Sequence, residues 1–138
     1  MKKFIFLVIA VAISITFSCS QSQSGKSEKA AIITFKETNH DFGAVEQNSN
    51  CTYEFEFKNT GKESLILNNV QSSCGCTIPE WTNESVGKNK IGHIKIKYNS
   101  SIVGSFSKSI TVYSNATNSP VSLKIKGTVV GKAAAASK

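Results

Sequence analysis

The residues of this chain best suited to chemistry are two cysteines separated by one glycine, Cys74-Gly75-Cys76. Thiols this close together can close a small disulfide ring, act as a redox-active dithiol, or supply two soft sulfur ligands to a metal ion. The glycine between them tolerates a tight turn, because it has no Cβ. The central question raised by the sequence is therefore the chemical state of Cys74 and Cys76.

A further cysteine of the folded part, Cys51, leaves the pairing of the thiols open. In an oxidising compartment, three cysteines leave one thiol over or form one disulfide between molecules. Cys51 opens one predicted strand and Cys74 closes the next, so the two are expected at the same end of the fold. A bridge from Cys51 to Cys74 or Cys76 would need Cα atoms within about 7 Å, and a bridge between Cys74 and Cys76 is the third option.

A metal site is another kind of chemistry that the sequence allows. Two cysteines of one turn supply only half of a tetrahedral ligand set for Cu(I) or Zn(II), so His40, His93 or Cys51 would have to complete it. The single methionine, Met1, lies in the N-terminal targeting segment and is excluded as a ligand. We expect no resident cofactor, with Cu(I) or Zn(II) as the alternative.

Neither catalysis nor nucleic-acid binding is expected. Asp41, His93 and a serine could be written as a triad, but no nucleophile motif supports one, and no catalytic residue is assigned. All sixteen basic residues are lysine and the formal net charge is +7. Bidentate recognition of bases and phosphates relies on arginine. The composition therefore favours a non-enzymatic protein with a solvated, lysine-rich face.

The N-terminus has the pattern of a lipoprotein signal peptide. A short basic start precedes an apolar run that ends at Phe17, which is too short to span a membrane. Ser18-Cys19 follows, and this pair resembles the lipobox at which signal peptidase II cleaves before a diacylated cysteine. We predict a signal peptide at residues 1–18, lipidation of Cys19, and a flexible tether at residues 19–30. Because no acidic run follows Cys19, the periplasmic side of the cell envelope is the expected location.

Residues 31–130 show the alternation typical of β-strands. It is clearest at residues 51–58, where cysteine or aromatic side chains occupy every second position. We predict a bend or bulge at Gly43, and a change of parity predicts an irregularity near Asn68-Asn69. About seven short strands without crossover helices predict an immunoglobulin-like antiparallel β-sandwich, followed by a disordered tail at residues 131–138.

Six segments of this region carry a family resemblance: Asp41–Gly43, Phe55–Gly61, Leu65–Thr77, Gly92–Ile94, Gly104–Ile110 and Ser114–Ala116, with Ser73–Thr77 the most specific. They resemble the DUF1573 family, and the resemblance spans nearly the whole domain. The family consists of immunoglobulin-like domains, distantly similar to ASH and PapD-like modules, in secreted and lipid-anchored proteins of Bacteroidetes. The resemblance implies this fold and an envelope location, but no established activity. Two loops, at residues 47–50 and 86–89, depart from the family pattern.

The sequence supports two hypotheses of function. In the first, the protein is a non-enzymatic envelope lipoprotein whose domain binds a protein partner through an edge strand or loops. Its lipid anchor would be its contact with the membrane. In the second, it is a thiol-based redox protein or a Cu(I)- or Zn(II)-handling protein that uses Cys74 and Cys76. The state of these two cysteines and of Cys51 distinguishes the two.

Overall fold

A computed structural model describes residues 29–132 of the chain. They form two four-stranded sheets, with the strand orders β1-β3-β6-β5 and β2-β8-β7-β4. Cys19, the predicted signal peptide, most of the tether and most of the predicted tail lie outside the described residues. Within residues 29–132, no helix has the length and apolar character needed to cross a membrane. The strands are β1 (Ile33–Phe35), β2 (Asn39–Glu46), β3 (Asn50–Asn59), β4 (Leu67–Ser72), β5 (Thr77–Trp81), β6 (Ile91–Asn99), β7 (Gly104–Ser114) and β8 (Val121–Val130).

The core lies between the two sheets and is built by period-2 alternation. Along β6, buried and exposed residues alternate one by one, and Ile94 and Ile96 are fully buried. Phe55 of β3 and Ile110 of β7 are buried to the same extent from the two sheets. Each such side chain stabilises the fold by roughly 1.5–3 kcal/mol relative to an exposed one. The predicted immunoglobulin-like β-sandwich is confirmed.

Two details of the strand arrangement differ from the prediction. First, β2 runs parallel to β8, whereas the prediction was antiparallel throughout. The chain leaves the first sheet after Phe35 and enters the second at Asn39. There β2 runs in the same direction as its neighbour β8. Second, Thr77–Trp81 forms an eighth strand, which the alternation did not predict because the segment is short and contains Pro79.

Both predicted irregularities are confirmed. Gly43 has a φ of 64°, in the left-handed region that favours glycine, and the register of β2 against β8 shifts around it. The Gly43 N–H donates to Asp41 Oδ1 at 2.8 Å. This bond, together with Lys126 at 3.2 Å, lowers the pKa of Asp41. In β4, the register against β7 shifts between Leu67 and Asn69.

One buried side chain, Asn59, organises the loops at the end of the sandwich where β3 ends. Its Nδ2 donates to the backbone oxygens of Glu63 at 2.7 Å and Val86 at 2.8 Å. Its Oδ1 accepts from the Gly61 N–H at 3.0 Å. Buried polar groups need such partners, and here they join two loops to one strand. β3 begins next to Cys51, so the cysteines lie at the opposite end.

Candidate functional site

A disulfide joins Cys74 to Cys76 in the loop between β4 and β5, with their Cα atoms 5.4 Å apart. This loop carries the chain from the second sheet to the first, and both cysteines are partly exposed. Gly75 is the only residue inside the ring. A Cβ added at Gly75 would meet no atom within 4 Å, and its φ is not left-handed, so the turn does not depend on glycine. Of the pairings that the sequence left open, this is the one present in the structure.

Cys51 is a free thiol and is 2% exposed. It pairs with Tyr98 on β6, and Tyr98 in turn pairs with Thr77 on β5. Cys51 is thus two strand spacings from the residue that follows Cys76, or roughly 10 Å. This separation exceeds the limit of about 7 Å between the Cα atoms of a disulfide. A bridge from Cys51, which the sequence allowed, is therefore not formed.

Thr77 places a buried hydroxyl group beside the disulfide. It is 4% exposed, and its Oγ1 lies 3.8 Å from Cys74 Sγ. The Thr77 N–H also donates to the Cys74 backbone oxygen at 3.4 Å. On the other side, the Cys74 N–H donates to Ser72 Oγ at 3.4 Å. Cys74 is thereby held between the end of β4 and the start of β5.

Two cavities flank the disulfide loop, with volumes of about 370 and 250 Å³. Cys76 and Tyr98 line both cavities, whereas Cys74 lines neither. Lys97 lines the larger cavity and Lys108 the smaller. Among the described residues, no aspartate or glutamate lines either one. Cys76 is thus the cysteine that faces the cavities, in surroundings with positive charge.

Tyr98 lines both cavities. Its ring stacks on Phe106, with the ring centroids 3.8 Å apart and the planes tilted by 14°. Burial raises the pKa of Tyr98, and the neighbouring Cys51 adds to the effect. The phenol therefore stays neutral at physiological pH.

Three exposed apolar side chains surround these cavities, and we call them the apolar rim. Ile102 and Val103, in the loop between β6 and β7, expose 77% and 53% of their surface. Ile78, on β5, exposes 58% and lines the larger cavity. Together they give the disulfide end a surface that another protein could cover.

The structure does not bring the candidate metal ligands together. His93 lies six residues along β6 from Asn99, whose N–H bonds to the Cys76 oxygen, so it is roughly 20 Å from the disulfide. Its Nδ1 instead lies 2.9 Å from Glu54 Oε1. His40 is on β2, at the opposite edge of the second sheet from β4, and stacks on Tyr53 at 3.4 Å. Within residues 29–132, no cluster of three or more histidine, cysteine or acidic side chains is placed to hold a metal ion.

The edges of the two sheets also bear on function, because an edge strand can pair with another chain. β1 has three residues, and the Asn118 side chain bonds to the backbone along its outer edge. Asn118 Oδ1 accepts from the Ile33 N–H at 3.1 Å, and Nδ2 donates to the Ile33 oxygen at 2.8 Å. β2 is bulged at Gly43 and carries the exposed, charged Asp41. Both edges have features that hinder pairing.

The edge strand β5 is hindered by a proline. The Asn99 N–H donates to the Cys76 oxygen at 2.8 Å, so these two residues form a hydrogen-bonded pair. From there, non-hydrogen-bonded and hydrogen-bonded pairs alternate along β5 and β6. Pro79 then falls in a non-hydrogen-bonded pair with Ile96, and its nitrogen faces the open side. Because proline has no N–H, an added strand would lose a hydrogen bond at the middle of β5.

β4 lacks these features, since it contains neither a charged residue nor a proline. The Ser73 N–H bonds to the Ser109 oxygen at 2.9 Å and fixes the alternation between β4 and β7. Val70 and Ser72 therefore fall in non-hydrogen-bonded pairs, and their N–H and C=O groups point away from β7. β4 is the candidate docking edge, and it leads directly into the disulfide loop.

Comparison with known sequences places this domain in a family. Residues 33–129 match the model of a family described as protein of unknown function, DUF1573. The chain belongs to the DUF1573 family. The match begins with β1 and ends one residue before the end of β8, so the family covers the whole sandwich. Among curated proteins, no match to this DUF1573 sequence was found.

Solved structures similar to this DUF1573 domain share its fold at low sequence identity. A protein of unknown function from Porphyromonas gingivalis W83 is 14% identical with a TM-score of 0.66, and the match covers 73% of this chain and 48% of that chain. The ASH/PapD-like domain 7 of human CEP192 is 9% identical with a TM-score of 0.63, covering 75% and 88%. The Vibrio cholerae VesB protease is 6% identical with a TM-score of 0.56, covering 70% and 31%. At these identities the likeness establishes the fold alone.

Sequence reasoning identified the cysteines of this DUF1573 domain but missed three other features of the site. Thr77 ends the Ser73–Thr77 motif, but its role beside Cys74 was not predicted, and Tyr98 carries no motif. The places of both residues beside the cysteines follow from the order of the strands. The open edge at β4 left one signal in the sequence, the absence of charge and proline in Leu67–Ser72. That signal gains meaning only once β4 is known to be an edge strand.

Proposed function

We propose that this protein is a non-enzymatic binding module of the cell envelope that accepts an extended segment of a partner protein along β4. The observation that carries the proposal is the outward direction of the Val70 and Ser72 backbone groups at β4, which among the sheet edges of residues 29–132 is the one without a charge, a proline or a capping side chain. Strand addition uses main-chain hydrogen bonds for affinity and side-chain contacts for specificity. The apolar rim lies beyond the end of β4 and offers such contacts.

A binding role is further supported by where the histidines lie. His93 is engaged with Glu54 on the outer face of the first sheet, and His40 stacks on Tyr53 and meets Phe42 edge-on. Neither lines the cavities beside Cys76. The side chains that do line them suit recognition better than acid–base chemistry, because they are mostly apolar, amide or hydroxyl groups.

We propose that a diacylated Cys19 tethers the domain to the periplasmic side of the membrane. The support is the sequence pattern of a basic start, an apolar run, Ser18-Cys19 and a polar tether. The anchor would hold the domain close to other proteins of the envelope. Replacing Cys19 with alanine should move the protein from the membrane fraction to the soluble fraction, and unchanged membrane association would refute the anchor.

Site-specific photo-crosslinking in the cells that produce the protein tests strand addition at β4. A photoreactive residue at position 71, on the exposed face of β4, should give a discrete crosslinked partner. One at position 107, on the same face but in the interior strand β7, should give none or much less. The matched variants are Gln71→Lys, which adds a charge to the open edge, and Ser107→Lys. Crosslinking from both positions alike, or insensitivity to Gln71→Lys, would refute β4 as the docking edge.

A further inference from the structure

We infer that the Cys74–Cys76 disulfide is a thiol–disulfide exchange site, and that an incoming thiolate from a dithiol protein attacks the sulfur of Cys76. This inference goes beyond strand addition at β4 and does not depend on it. It rests on four observations, which are the small ring, the access to Cys76, the hydroxyl group beside Cys74, and the charge of the cavities.

The ring is too small to serve the fold as a staple. A disulfide stabilises a protein mainly by restricting the unfolded chain, and the effect grows with the length of the closed loop. Here the cysteines are two positions apart, and the bridge restrains only Gly75 between them. The bridge does not join β4 to a part of the fold that is distant along the chain. A bond that contributes little to stability can be opened and closed without loss of the fold.

Access to the two sulfurs is unequal. Cys76 lines both the larger and the smaller cavity, and Cys74 lines neither. An incoming thiolate must approach along the S–S axis on the side opposite the sulfur that leaves. The cavities provide room on the Cys76 side, and the apolar rim around them suits the surface of a protein reductant. Cys76 is thus the sulfur attacked, and Cys74 is the one that leaves.

The leaving sulfur has a hydrogen-bond donor in place. Thr77 Oγ1 lies 3.8 Å from Cys74 Sγ and is buried, so its hydroxyl can donate to a Cys74 thiolate. A donor to the thiolate lowers the pKa of the thiol, and a thiol of lower pKa leaves faster. Lys97 and Lys108, one in each cavity, further favour an anion at this end. Thr77 is therefore a positioning residue for the exchange.

The electrons and atoms balance with a dithiol as reductant. Its first thiolate forms a bond to Cys76 Sγ as the Cys74–Cys76 bond breaks, and Cys74 leaves as a thiolate. The second thiolate of the reductant then attacks the reductant's first sulfur in the mixed disulfide, and Cys76 leaves as a thiolate. The reductant ends as a disulfide, the domain gains two electrons, and both cysteines take up protons.

The experiment uses the full-length protein in detergent, dithiothreitol as the dithiol, and alkylation followed by mass spectrometry. We expect Cys74 and Cys76 to be reduced and alkylated while the protein stays folded by circular dichroism, and buried Cys51 to remain unmodified. Thr77→Val should slow the reduction about tenfold, since a hydrogen bond to a charged group is lost. Thr77→Ser, which keeps the hydroxyl, should restore the rate. Reduction only upon unfolding would overturn the site, and equal rates for Thr77→Val and the native protein would overturn the role of Thr77.

Single-cysteine variants test which sulfur is attacked. In Cys74→Ser the exposed thiol is Cys76, and in Cys76→Ser it is Cys74. With an aromatic disulfide reagent, and with the rates compared per thiolate from their pH profiles so that the lower pKa of Cys74 does not count, the Cys76 thiolate should react several-fold faster, because it faces the cavities. The double variant Cys74→Ser/Cys76→Ser supplies the background from Cys51. Equal rates, or a faster Cys74 thiol, would overturn the assignment of Cys76. None of these readouts requires the partner of β4, so failure here leaves strand addition untouched.

Discussion

Removal of the Cys74–Cys76 disulfide should destabilise the fold only slightly. The change is the double substitution Cys74→Ser/Cys76→Ser, and the bridge it removes closes a loop of three residues. The loop-entropy relation gives about 1.6 kcal/mol for such a loop at 25 °C, against about 3 kcal/mol for a loop of 15 residues. Both cysteines are partly exposed, and only Cys76 packs against the core, so the packing lost is limited. The free energy of unfolding should therefore fall by about 1–2 kcal/mol.

Urea denaturation followed by circular dichroism measures this change directly. With a slope of about 1–3 kcal/mol per molar urea, the midpoint should shift by roughly 0.3–2 M, and the slope itself should be unchanged. The native protein reduced with dithiothreitol and alkylated is the control and should behave like the double variant. A loss of about 4 kcal/mol or more, in the upper part of the range of about 2–5 kcal/mol for removing a structural bridge from a small secreted domain, would refute the reasoning and identify a structural bridge.

Three further predictions concern the sandwich itself. Asn59→Ala removes three hydrogen bonds of 2.7–3.0 Å and should lower the free energy of unfolding by about 3 kcal/mol in urea titrations, whereas Asn69→Ala on exposed β4 should change it by less than about 0.5 kcal/mol. Gly92→Ala would place a Cβ 2.8 Å from Phe57 Cε2 and should cost about 1–3 kcal/mol, and a neutral result would show that the ring can move aside. Tyr98 should ionise above its ordinary pKa of 10.0, so stability that is complete below pH 10 should fall as the pH rises, because the unfolded tyrosine loses its proton first. Phenolate absorbance of the native protein and of Tyr98→Phe checks this, and a folded-state value at or below 10.0 would contradict it.

Most of the sandwich could be predicted from the sequence, because the alternation of apolar and polar residues indicates directly which side chains are buried. β3 and β6 each place apolar residues on one face and charged ones on the other, and this pattern suffices to assign both strands. Gly43 was predictable because glycine marks a bend. β5 was not, because the five residues of Thr77–Trp81 include a proline and have no clean alternation. The parallel pairing of β2 depends on where the chain changes sheets, and this leaves no local pattern.

The pairing of the cysteines could not be predicted from the sequence either, because it depends on which strands are neighbours in the sheets. The sequence placed Cys51 and Cys74 at one end of the fold, which the structure shows, but proximity at one end does not decide a bridge. The order β3-β6-β5 sets Tyr98 between Cys51 and Thr77, and this spacing leaves Cys51 unpaired. An edge strand is likewise defined by its neighbours in space. The open side of β4 could therefore be recognised only from the complete sheet.

Amide hydrogen exchange at β4 tests strand addition most directly. In the free protein, the Gln71 N–H faces β7 and should be protected, while the Val70 and Ser72 N–H groups point away from β7, have no partner on it, and should exchange roughly 100-fold faster. When the partner captured by crosslinking from position 71 is bound at saturation, the Val70 and Ser72 amides should become as protected as that of Gln71. Binding that leaves the Val70 and Ser72 amides in fast exchange would contradict the account.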